Sequence, residues 1–150
     1  MKERFKTPTS VFLILTRKYK NETEILLQKR KNTGFKDGFW DTASSGHVEK
    51  YESLSQAVIR ETKEELGIDI FHENIQFGGF YYNNIESTTY CYVYFCTSNW
   101  QGDPKIGESE KCSELKWFNI KKFPEDIIPD RKTAIENCLN NVYFGEIGWE

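Results

Sequence analysis

The stretch that decides the reading of this chain is Gly46-His-Val-Glu-Lys-Tyr-Glu52, then seven residues to Arg60-Glu61, then Glu64-Glu65-Leu66-Gly67-Ile68. From Ser53 to Leu66 there is no Gly or Pro. Ser53 and Gln56 have capping-box spacing, and Gly67 is a natural C-terminal stop, so the segment predicts a helix. On a helical wheel its inward stripe begins with Leu54, Ala57 and Val58 and continues into Glu61, Glu64 and Glu65. Gln56, Arg60 and Lys63 are expected on the opposite, wetter arc. Carboxylates at i, i+3 and i+4 repel one another and oppose the negative end of the helix dipole. Protons, basic residues such as Arg60 or Lys63, or a cation must compensate them. Hard divalent cations favour such oxygens, and Mg2+ characteristically shares one or two protein carboxylates with substrate phosphates.

Outward from this stretch, the chain has 150 residues, 38% hydrophobic and 29% charged, which fits one domain over residues 1–150. Lys and Arg number 20 against 23 Asp and Glu, a net charge of -3, so there is no basic surplus to hold a nucleic-acid polymer. The longest apolar run, Val11 to Leu15, is far short of the roughly 20 residues of a membrane helix and of a secretory segment. A cytoplasmic protein without a membrane partner is expected. Cys91, Cys96, Cys112 and Cys138 form no CxxC pair and have no histidine at zinc spacing.

Strands are predicted at Ser10 to Thr16 and Glu24 to Gln28, joined by a hairpin, and near Phe39 to Ala43. The basic, glycine-containing stretch from Lys29 to Asp41 reads as a surface loop leading into the last of these. Aromatic and β-branched residues predict further strands at Ile75 to Tyr82, Thr88 to Ser98 and Glu114 to Asn119. A second helix is expected from Asp130 to Tyr143, with Ala134, Ile135, Cys138, Leu139 and Val142 at helical spacing. The order is strands, helix, strands, helix: an α/β (α+β) domain.

The Gly46-to-Ile68 pattern closely resembles the Nudix box of the Nudix (MutT-like) hydrolases, with every charged and glycine position present. Thr62 stands where an aliphatic residue is usual, and Ser45 and Tyr51 replace frequent glycines. The resemblance implies a mixed β-sheet sandwiched between α-helices and a pyrophosphohydrolase using Mg2+, or Mn2+, to activate water. By similarity, Glu61 and Glu65 are metal ligands, Glu64 is a ligand or a group that positions water, and a backbone carbonyl of Ser45 or Gly46 adds an oxygen. Glu52 supports the cluster by pairing with Arg60, which organises the carboxylates. The general base is either a box glutamate or an acid in the loop Gly107 to Lys111, with Glu110 preferred over Glu108.

Phe35, Phe39, Trp40, Tyr81, Tyr82, Tyr90, Tyr92 and Tyr94 offer stacking surfaces, of which Phe35, Trp40, Tyr90 and Tyr92 are taken as substrate-binding candidates. Alternation puts Tyr90, Tyr92 and Tyr94 on one face of their strand. Lys29, Arg30 and Lys31 are candidates for terminal phosphates, and His47 is read as structural or solvent-exposed. The expected substrate is a nucleoside diphosphate linked to another moiety, including nucleoside triphosphates, or another small diphosphate. A homodimer is the assembly the resemblance allows. The competing reading is a Nudix-like module that binds a nucleotide without cleaving it.

Overall fold

A computed structural model describes residues 2–150. Its elements run β1 (Thr9–Tyr19), β2 (Glu22–Arg30), β3 (Trp40–Thr42), β4 (Ser44–His47), α1 (Leu54–Leu66), β5 (Gln76–Ile85), β6 (Thr88–Thr97), β7 (Cys112–Asn119), α2 (Pro129–Leu139) and β8 (Phe144–Ile147). The eight strands form one mixed sheet along the path β3-β2-β1-β6-β5-β8, with β4 on β1 and β7 on β2. The fold is of the expected class, two helices against a mixed sheet.

β1 is the hinge of the architecture because its two halves pair differently. Residues Thr9 to Leu15 run parallel to β6, and Ser10 to Leu13 also pair antiparallel with β4. Beyond Thr16 the strand turns to β2 in the predicted hairpin.

Strand alternation sorts β1 into two cores. Val11, Leu13 and Leu15 join Ala57, Val58, Leu66, Ile68 and Val93 on the α1 side. Phe12 and Ile14 join Trp40, Tyr81, Tyr92, Tyr94, Ala134 and Ile135 on the α2 side. Helix α1 begins with the capping box foreseen for Ser53 and Gln56 and ends on Gly67 at φ 69°, a left-handed turn that glycine adopts without strain.

Three readings need correction. Leu54 is 39% exposed, and the buried residues of α1 are Ala57, Val58, Thr62 and Leu66. Thr62 suits an aliphatic position because its hydroxyl meets Ser44 Oγ at 2.7 Å, satisfying both buried groups. The second helix stops at Leu139 rather than Tyr143: Asn141 takes φ 60°, and Phe144–Ile147 leaves as β8, parallel to β5. The Ser44–His47 segment, which the sequence assigned to no strand, is strand β4, held by β1.

Candidate active site

β4 and α1 together build a nest of carboxylates at the mouth of a cavity of about 810 Å³. Gly46 is required here by close approach: a Cβ at that position would fall within the Glu61 carboxyl group. Glu61 and Glu65, one helical turn apart, converge beneath β4 and both line the cavity. Gln28 Nε2 donates to Glu65 Oε1 at 2.8 Å and to Ala43 O at 3.1 Å, and Ser45 N reaches Glu65 Oε2 at 3.4 Å. Burial, first, and the Glu61 carboxylate beside it push the Glu65 carboxyl up to about 9, so without a cation the pair shares a proton.

Arg60 sits among the acids rather than on an opposite arc. Its Nε and Nη2 grip Glu52 at 2.6 and 3.0 Å, Nη1 reaches Glu61 at 2.8 Å and Glu64 at 3.4 Å, and Nη2 donates to the His47 carbonyl at 3.1 Å. The guanidinium hydrogen bond holds the Glu52 carboxyl down at about 2. One arginine thereby ties the end of β4 and the following loop through Glu52 to the helix. Glu64 is exposed and stands outside the cavity lining.

Among the described residues no three acidic, histidine or cysteine side chains form a ready metal-binding group. Two do converge, Glu61 and Glu65. A pair of carboxylates that must otherwise share a proton, backed by a glycine that leaves no Cβ in the way, fits a hard divalent cation.

The other candidates divide. Phe35, Tyr90, Tyr92 and Arg30 line the cavity, as does His47. Trp40 does not: it is 5% exposed and packed edge-on against Phe118 at 4.9 Å, because β3 is covered by the segment through Ile127. Tyr81 and Tyr94 are likewise core. In the acidic loop Glu108 lines the cavity, whereas Glu110, the sequence's preferred candidate, is exposed outside it. Lys29 pairs outside the cavity with Glu114 and Asp126, and Lys31 contacts the Ser109 carbonyl.

Sequence reasoning missed a buried charge network opposite the acids. Asp41, fully buried on β3, accepts from Arg131 Nε at 2.8 Å and from Arg30 Nη1 at 2.9 Å. Burial opposes ionisation of Asp41, yet the two guanidiniums keep its carboxyl below the usual range. Arg131 lies on the cavity wall with Phe12 and Tyr92. A signal existed: Arg131 shares a helical face with Ala134, Ile135 and Cys138, an arginine inside an apolar stripe.

The fold and the acidic nest define a domain class that comparison with known proteins identifies. The NUDIX domain model matches residues 6–138, and the chain belongs to that family. It is 27% identical over 113 residues to the Caenorhabditis elegans protein named "Putative nudix hydrolase 1", covering 72% of this chain but only 28% of that one. The chain thus spans under a third of that relative's length. A Burkholderia pseudomallei MutT NUDIX hydrolase superposes with TM-score 0.75 at 22% identity, covering 88% of this chain and 98% of the other. The NUDIX domain of Shewanella oneidensis NrtR, solved with ADP ribose, gives TM-score 0.73 at 19% identity, covering 93% and 90%.

Proposed function

We propose that this chain is a Mg2+-dependent pyrophosphohydrolase that cleaves the P–O–P linkage of a nucleoside diphosphate joined to another group, with Mn2+ as a substitute cation. The observation that carries this reading is the convergence of Glu61 and Glu65 behind Gly46, at the mouth of a cavity large enough for a nucleotide. These two carboxylates, with a backbone carbonyl of Ser45 or Gly46, would hold the cation. Bound there, a divalent cation supplies neutralisation of phosphoryl charge and acidification of water.

The chain's own groups do the rest. Arg60 keeps Glu61 oriented and ties the loop between β4 and Glu52 to the helix, and Gln28 fixes one oxygen of Glu65. A water attacks phosphorus and the bridging P–O bond breaks; Glu108 on the cavity wall, or the exposed Glu64 on α1, takes the water's proton. The aromatic wall of Tyr90, Tyr92 and Phe35 holds the nucleoside. A small-molecule ligand rather than a polymer accords with the net charge of -3. No helix among the described residues is long and apolar enough to cross a membrane. Residues 1–150 acting as one cytoplasmic domain, alone or as a homodimer, complete the proposal.

The test is incubation with Mg2+ and nucleoside triphosphates, ADP-ribose, dinucleoside polyphosphates and sugar nucleotides, with products resolved chromatographically. Turnover that is lost on chelation and in Glu65→Gln is expected. Nucleotide binding without turnover under any of these conditions would overturn the hydrolase in favour of a binding module.

A further inference from the structure

Two cysteines outside the lining of the large cavity come together where α2 covers the sheet. On β6, alternation puts Cys96 on the same face as Tyr92 and Tyr94, which belong to the core beneath α2. On α2, Cys138 continues the buried stripe of Arg131, Ala134 and Ile135 by one further turn. Both cysteines pack on that same core, and both are free thiols. Alternation sends Cys91 to the opposite face of β6, and Cys112 lies on β7 with its thiol on the Glu114 carbonyl. Neither of these competes for a partner.

The contact between them sets their chemistry. The Cys138 S–H donates to the Cys96 sulfur, which holds the Cys96 thiol below the ordinary thiol range against the opposing effect of burial. The same bond, reinforced by burial, keeps Cys138 protonated, its thiol well above that range. One sulfur is therefore a nucleophile, and its neighbour is a protonated thiol in contact with it. Neither is sealed in: both are partly exposed, and Cys96 lines a second cavity, of about 320 Å³, with Thr16, Asn74, Gln76 and Asn99. A small polar oxidant has room to reach the reactive sulfur there.

We propose that Cys96 and Cys138 form a redox-active thiol pair, which a hydroperoxide converts into a disulfide that pins α2 to β6. First the Cys96 thiolate attacks the peroxide: an S–O bond forms and the O–O bond breaks. The departing hydroxide or alkoxide takes up the proton that Cys96 gave to solvent, and Cys96 is left as a sulfenic acid. The Cys138 sulfur, losing its proton, then attacks Cys96; the S–S bond forms, the S–O bond breaks, and the leaving hydroxide with that proton makes water. The two sulfurs together lose two electrons, and the peroxide gains them. Arg131 ties the start of α2 to β3 through Asp41, and near its end Asn137 Nδ2 donates to Tyr81 Oη at 3.0 Å. A disulfide at Cys138 fastens that end covalently.

Peptide mapping of the whole protein decides the matter. After reduction and removal of the reductant, hydrogen peroxide is expected to lower the titratable thiols from four to two, with a Cys96–Cys138 linked fragment as the main oxidised product. Closing so long a loop should raise the thermal midpoint by roughly 5 °C or more, and dithiothreitol should reverse the rise. In Cys138→Ser the link cannot form, and dimedone should trap the sulfenic acid on Cys96, whereas Cys91→Ser should oxidise like the parent. Four thiols persisting in excess peroxide, first oxidation at Cys91 or Cys112, or links only between molecules overturn the pair. A linked protein no more stable than the reduced one overturns the pinning of α2. None of these readouts depends on turnover of a nucleotide, so the thiol pair and the hydrolase stand or fall separately.

Discussion

The two helices flank one sheet and build opposite kinds of wall. On the α1 side the charged groups come from adjacent turns and one preceding loop, they are mostly acidic, and a single arginine gathers them. On the α2 side the charge is basic, dry and ringed by aromatics, and its central pair joins residues 90 positions apart. In the first wall the half-buried Glu61 and Glu65 carboxylates crowd together, whereas in the second the guanidiniums are neutralised from within by Asp41. A substrate with phosphates at one end and a flat ring at the other matches this polarity.

The widest separation between the walls should appear in stability. Asp41→Asn leaves Arg131 buried with no carboxylate, and loss of one partner of a buried pair costs about 3–5 kcal/mol. Urea denaturation should show that loss; a cost of about 1 kcal/mol or less, as for an exposed pair, would mean Asp41 does not anchor α2 to the sheet. Glu65→Gln should do the reverse. Its turnover should fall at least about a hundredfold, with the urea midpoint unchanged or raised, because a neutral amide suits that buried position.

Glu65 also gives the metal-free protein an unusual pH dependence. A carboxyl near 4.5 when unfolded and near 9 when folded binds its proton more tightly in the native state. Stability from this group is full below 4.5 and is lost as pH rises toward 9. Thermal midpoints measured in chelator should decline across that window, and Mg2+ should flatten the slope by taking the proton's place. A midpoint independent of pH in Glu65→Gln and parent alike would remove the shared proton.

The same contrast explains what was legible in the sequence. Helix α1, its caps and its acids obey local rules at fixed spacing, so Ser53, Gln56, Gly67, Glu61 and Glu65 could be placed from the string alone. The α2 wall depends on which strand lies beside which. Trp40 looked like a stacking surface because its burial comes from residues near Ile127, far away in sequence. Asp41 and Arg131, 90 residues apart, carry no local pattern that pairs them. Strand β4, lacking β-branched or aromatic residues, exists because β1 offers it a free edge, and β8 because Asn141 turns the chain left-handed. Glu108 and Glu110 differ only in loop direction, which spacing does not encode.

Smaller effects sharpen the α1 side. Ser53→Ala removes the acceptor for Gln56 N, at 3.1 Å, and half of a reciprocal cap. About 1 kcal/mol of stability should go, with kcat untouched because the cap lies at the far end of the helix from Glu65. A matched removal at α2 has no counterpart, since its N-cap residue, Ile128, makes no side-chain cap bond. Helix α2 relies on its buried face and on the Arg131 bridge instead.

The smallest effect concerns Glu52, in the loop between β4 and α1, where water weakens its pairing with Arg60. Its carboxyl sits near 2 in the folded protein against 4.5 unfolded, so the pair's contribution is fully present above 4.5 and fades as pH falls through 2. Glu52→Gln should therefore flatten the acid limb of the stability curve between those values and leave the limb between 4.5 and 9 unchanged, since that one belongs to Glu65. Activity gives the sharper reading. If Arg60 works by tying the loop to the helix, Glu52→Gln should raise the Mg2+ concentration needed for half-maximal turnover while kcat at saturating Mg2+ stays near the parent value. A fall in kcat at saturating metal would instead put Glu52 among the groups that act on the substrate, and the acidic wall would then extend along the loop as well as the helix.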